Sequence, residues 1–96
     1  MKELTALEQK LEAVYTAAHK KSAATEEDNK DTVAYEGLTK QMEDSQRAFE
    51  SYIEAECAYE AGVMGAGTFS TDAKIRCRIE LLSERIRQLK RSYSGI

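Results

Sequence analysis

Two cysteines, one histidine and a series of glutamates four residues apart are the groups in this sequence whose types could do chemistry. Cys57 and Cys77 bracket the stretch "AYEAGVMGAGTFSTDAKIR". Such a pair could be a disulfide, part of a metal site, or two reduced core residues. Zinc as a rule takes four ligands, and His19 is the single histidine and lies far from both cysteines in sequence. There is no CxxC spacing of the kind that redox chemistry uses. Neither a metal nor a cofactor is expected. His19 falls in "AAHKK" and reads as a helix-end residue, where an imidazolium is favoured by the helix dipole. The pairs Glu50/Glu54 and Glu56/Glu60 repeat at i, i+4, the spacing of a solvated helix face rather than of a paired acid and base. These residues describe a non-enzyme.

The elements that must hold these groups are helical. Leu4, Leu7, Leu11, Val14 and Ala18 follow a 3-4-3-4 spacing and predict a helix over about residues 2–23. "ATEEDNKD" interrupts that stripe, and Thr25-Glu26-Glu27-Asp28 approximates a capping box. A second helix is therefore expected over about 26–61, with Tyr35, Leu38, Met42, Ser45, Phe49 and Tyr52 or Ile53 on its inward side and a weak point at Gly37. Gly62, Gly65 and Gly67 end it. Ser70 or Thr71 then caps a third helix over about 71–92, whose stripe is Ile75, Ile79, Leu82, Ile86, Leu89 and Tyr93. No strand alternation occurs. The expected fold is all-α: one helical domain over 1–96, a three-helix antiparallel bundle with short connections.

Composition narrows the class. The chain has 96 residues, 42% hydrophobic and 32% charged, the mixture of a soluble domain with one modest core. No apolar run reaches the length of about 18 residues that a membrane span needs. "MKELTALEQKLEAVY" has no apolar segment of a signal peptide, so the sequence starts either as a cytosolic protein or as a trimmed exported one. Charge is uneven. Residues 1–60 carry 14 acids against 7 bases, whereas residues 61–96 carry 3 against 7. An acidic and a basic helix packed side by side account for that split. The cluster "RIRQLKR" has no interleaved aromatic, and nucleic acid is not an expected partner.

In an antiparallel hairpin, Cys57 near the end of one helix and Cys77 near the start of the next face each other. A disulfide there would close a loop of about twenty residues and imply an oxidising compartment. Two buried reduced cysteines in a cytosolic protein are the other reading. The glycine loop is the candidate contact surface, through Met64, Thr68 and Phe69 with the acids Glu56 and Glu60 beside it. Its apolar side chains either face a partner or fold back over the open end of the bundle.

"SQRAFESYIEAECAYE" and "CRIELLSERIRQL" resemble the LprI-like lysozyme-inhibitor family, which carries an A-Q-R-A-W…E-C stretch, a loop with glycine and serine, and then C…L-T-x-x-R-I-x-x-L. Gln46, Arg47, Glu56, Cys57, Cys77, Leu81, Arg85, Ile86 and Leu89 fit that pattern in order, and "LEAVY" is similar to the family's L-N-x-V-Y element. Phe49 stands where the family usually has tryptophan, and the segment between Tyr15 and Ser45 is longer than typical. The resemblance implies a disulfide between Cys57 and Cys77, a periplasmic or extracellular location, and a protein partner of the lysozyme type, a basic muramidase. Within the motif, Phe49 and Leu89 read as core, Gln46 and Arg47 as polar motif residues, and Arg85 as the partner of an acid near Glu43 or Glu50. Two other functions fit the same residues: a cytosolic helical adaptor acting through coiled-coil contacts, and an immunity protein against a cell-wall-targeting toxin.

Overall fold

The computed structural model describes residues 2–65 and 67–94, apart from the side chains of Thr68 and Ser94. Three long helices make up the chain: α1 (Lys2–Asp28), α2 (Leu38–Val63) and α3 (Thr68–Ser94). They form a rod of 56 × 22 × 15 Å. Helix α3 is central, with α1 and α2 each packed mainly against it. Cross-contacts fix the directions. Arg78 on α3 pairs with Glu8 on α1 and with Glu54 on α2, and further along the rod Arg85 on α3 meets Gln46 while His19 on α1 meets Glu43, so α2 runs antiparallel to both α1 and α3.

The apolar stripes meet along the rod axis. Leu4, Leu11 and Ala18 of α1, Ile53 and Cys57 of α2, and Cys77, Leu82, Ile86 and Leu89 of α3 form one buried cluster. Leu7, Val14, Met42, Phe49 and Tyr93 pack against its edges. A 3-4 spacing gives each helix a single sticky face, and three such faces close on one another in a narrow bundle. The stripes that a coiled-coil adaptor would offer to another helix are thus spent within the chain.

The corner between α1 and α2 differs from the sequence expectation. Helix α1 runs to Asp28 instead of ending near residue 23, and α2 starts at Leu38 instead of residue 26. Thr25 does not cap α2; its hydroxyl donates to the Lys21 carbonyl one turn back, inside α1. The Asn29 side chain then donates to the Thr25 carbonyl and satisfies the C-terminal end of α1. Residues 29–37 form a series of turns, which takes Tyr35 out of the helical stripe and leaves it exposed. Gly37 is not a weak point inside a helix but the residue preceding α2, with φ 76°. That left-handed conformation suits glycine.

Helix α2 has no side-chain cap of its own. The carboxylate of Glu26, still on α1, accepts the backbone N–H of Gly37 at 3.1 Å and of Thr39 at 3.0 Å. Glu26 was expected in the first turn of α2, and instead serves that turn from another helix. The same donors hold its carboxyl below the usual glutamate range, led by the Thr39 side-chain and backbone contacts.

The α2–α3 corner is tighter. Gly65 and Gly67 have φ of 83° and 93°. The Gly67 carbonyl accepts the Thr71 N–H, so α3 begins at Thr68, ahead of the Ser70 or Thr71 cap expected from sequence.

Candidate partner-binding tip

The disulfide is the base of the candidate site. Cys57, six residues before the end of α2, and Cys77, in the third turn of α3, are bonded with their Cα atoms 5.4 Å apart. Both are buried, at 0% and 2% exposure. The antiparallel hairpin brings the two positions to one level, and the bond closes a segment that spans a sequence separation of 20. Everything beyond it, the last turn of α2, the glycine corner and the first turns of α3, forms the tip of the rod.

The tip is apolar and open. Val63 is 68% exposed, Met64 52%, and Phe69 71%, and Tyr59 one turn earlier is 68% exposed. These side chains do not fold back over the end of the bundle. Beside Val63 and Met64 lies a shallow cleft of about 250 Å³, lined also by Glu60, Ala73, Arg76, Cys77 and Glu80. Thr68 opens α3 at this corner, and its side chain lies outside the described residues. Large apolar groups grouped beside a rigid crosslink, rather than scattered over the surface, are the usual mark of a contact site.

Glu60 lines the cleft from α2, and Glu56 lies one turn before it; both are half-buried. They interact directly. The hydrogen-bonding contact with Glu56, followed by burial and the neighbouring charge, pushes the Glu60 carboxyl above the usual glutamate range. Glu60 Oε2 also lies 3.4 Å from the Cys77 sulfur. Two carboxylates forced together at a half-buried position favour an incoming cation. The whole outer half of α2, residues 48–63, carries Glu50, Glu54, Glu56 and Glu60 and no basic residue.

The motif residues lie elsewhere, at mid-rod. Leu89 is core, and Phe49 packs against the core with the Arg85 guanidinium 5.6 Å above its ring. Arg47 is exposed and pairs with Asp44 on its own helix. Gln46 and Arg85 are both buried, and Arg85 Nε–H donates to Gln46 Oε1 at 2.9 Å. A second N–H, from Nη2, reaches Ser45 Oγ at 3.2 Å. The expected pairing of Arg85 with Glu43 or Glu50 is not made. Glu43 meets His19 instead, 2.9 Å from its Nε2. His19 is not at a helix end, because α1 continues nine residues past it. The helical spacing put Ser45 on the inward stripe of α2, but charge alone pointed Arg85 to an acid and missed Gln46 beside it.

Among the described residues, no three His, Cys, Asp or Glu side chains converge as metal ligands. No helix is long and apolar enough to cross a membrane. The tip is an exposed apolar corner, clasped at its base by the disulfide and acidic along outer α2. No curated protein and no solved structure matches the chain. Residues 1–89 match the family model described as lysozyme inhibitor LprI, which spans both cysteines, the tip and the Gln46–Arg85 contact. The chain belongs to the LprI lysozyme-inhibitor family.

Proposed function

We propose that this protein is an extracytoplasmic inhibitor that binds a lysozyme-type muramidase with its disulfide-clasped tip. The observation that carries the proposal is the group Val63, Met64 and Phe69, more than half exposed in the corner that a buried disulfide closes. A crosslinked corner holds its shape before binding, so less conformational entropy is lost on contact. Membership of an inhibitor family supports the class of partner. The disulfide supports an oxidising compartment, periplasmic or extracellular. Acids along outer α2 match a basic enzyme and would speed its approach.

In this reading Met64 and Phe69 enter an apolar part of the enzyme's surface, and Glu56 and Glu60 receive a lysine or arginine. The test is calorimetric titration of a basic lysozyme with the wild-type chain and with a Met64→Ala/Thr68→Ala/Phe69→Ala variant, paired with a cell-wall lysis assay. Binding and inhibition that both weaken in the variant support the tip. An equal Kd for the two proteins overturns it, and no binding by either overturns the choice of partner.

A further inference from the structure

Among the described residues, Arg85 is the one ionisable side chain that the bundle buries. Charges in such positions are normally matched by an opposite charge. Arg85 is matched only by neutral groups: the Gln46 amide oxygen, the Ser45 hydroxyl and the Phe49 ring. No carboxylate among the described residues forms an ion pair with it. A guanidinium has five N–H donors, and these two acceptors engage two of them. Burial lowers the Arg85 pKa, and the Tyr15 hydroxyl opposes that shift.

Beside Arg85, among the three helices, is a cavity of about 290 Å³. Its walls include Leu38, Met42, Leu89 and Tyr93, with Ser22, Ser45 and Ser92 between them. The Ser22 hydroxyl donates to Met42 Sδ and the Ser92 hydroxyl to the Gln88 carbonyl, so Ser45, which accepts from Arg85, is the serine whose proton is uncommitted. No aspartate or glutamate lines the cavity. That is unusual on this surface, since four other grooves each contain at least two carboxylates. One fixed positive charge, the Ser45 hydroxyl beside it and apolar walls define the chemistry of an occupant. It must carry a single negative charge and an aliphatic portion. A phosphate dianion would ask for more donors than one arginine and the Ser45 hydroxyl supply, and it would leave the apolar walls without contacts.

We propose that this cavity binds a short aliphatic monocarboxylate, with the carboxylate on the Arg85 guanidinium and the tail against Leu38, Met42 and Leu89. The site is separate from the tip, and it stands or falls independently of the inhibitor reading. An occupant would supply the counter-charge that the fold itself omits and would tie α1, α2 and α3 together at mid-rod.

The experiment is an NMR titration of the full chain, following the Arg85 Nε–H signal, with hexanoate, hexan-1-ol, hexylammonium and inorganic phosphate as probes. Hexanoate is expected to move that signal saturably with a Kd of about 1 mM or tighter, and hexylammonium is not expected to move it. Arg85→Gln should weaken hexanoate binding about tenfold or more. Because Arg85→Gln also disturbs the interior, Ser92→Trp at the exposed rim is the second variant. It leaves the guanidinium in place and should block entry. Absence of saturable binding by hexanoate overturns the proposal. So does equal binding of hexan-1-ol or of phosphate, or hexanoate binding that neither variant weakens.

Discussion

Glu26 and Thr39 sit on different helices, yet the Glu26 carboxylate accepts the Thr39 backbone N–H at 3.0 Å and so caps α2 from α1. The contact joins the two helices at the corner where the apolar stripes are interrupted. Glu26→Ala is expected to lower Tm and to loosen residues 29–37, read as faster amide exchange at Gly37 and Thr39. The effect should depend on pH. The folded-state pKa of Glu26 is depressed, so its contribution is complete above the unfolded value of about 4.3 and is lost as pH falls through the lower folded value. The Tm gap between wild type and Glu26→Ala should therefore be full at neutral pH and close in acid. A gap that persists unchanged at pH 2 would show that the carboxylate's charge is not what caps the helix.

At the opposite corner the crosslink should dominate stability. In the chain-entropy picture, closing a loop of about twenty residues is worth about 3 kcal/mol. Reduction, or the Cys57→Ser/Cys77→Ser double variant, should lower the unfolding free energy by about that amount in a denaturant titration. The unreduced protein should take up no alkylating reagent, because both sulfurs are bonded. Two alkylated cysteines without reductant would remove the rigid base on which the tip proposal rests.

The mid-rod pair offers a sharper test of buried polarity. Gln46→Ala would leave an Arg85 N–H without its acceptor inside the bundle, at a cost of about 1–3 kcal/mol. Gln46→Glu restores an acceptor and adds the missing negative charge, so it should recover much of that loss. Thermal unfolding of the two variants checks the order. If Gln46→Ala is as stable as wild type, water replaces the amide oxygen and the contact is not structural.

The parts of this fold that the sequence made legible are those governed by periodicity. The stripes of α1 and α3 identified Leu4, Leu11, Ala18, Leu82, Ile86 and Leu89, and all six are buried. The opposed positions of Cys57 and Cys77 followed from the antiparallel hairpin. The α1–α2 corner was not legible, because a capping box records only local options. Thr25 had an equally good acceptor one turn behind it, and Glu26 found its donors eleven and thirteen residues ahead. Arg85 failed for a related reason. Glu43 and Glu50 were the obvious partners by charge, but Arg85 took Ser45, which the spacing had put on the inward stripe, and the neighbouring Gln46. The exposure of Met64 and Phe69 was an open choice from sequence, since apolar residues beside glycines fit both a cover and a contact surface.

That exposure leads to the last prediction, which separates stability from binding. Met64 and Phe69 bury little in the free protein, so Met64→Ala/Phe69→Ala should change the unfolding free energy by no more than about 0.5 kcal/mol. Leu82→Ala, at 4% exposure in the core, should cost about 2–5 kcal/mol. Against a basic lysozyme the order should reverse. The tip variant should raise Kd about tenfold or more, as expected for anchor residues at an interface, while folded Leu82→Ala should bind nearly as wild type. Glu56→Gln/Glu60→Gln should act mainly on the association rate, and its difference from wild type should shrink as salt screens the outer acids of α2. Surface plasmon resonance at two ionic strengths measures both rates on all four proteins. A tip variant that binds normally, or an acid variant with no salt-dependent difference in association, would move the interface away from the disulfide-clasped corner.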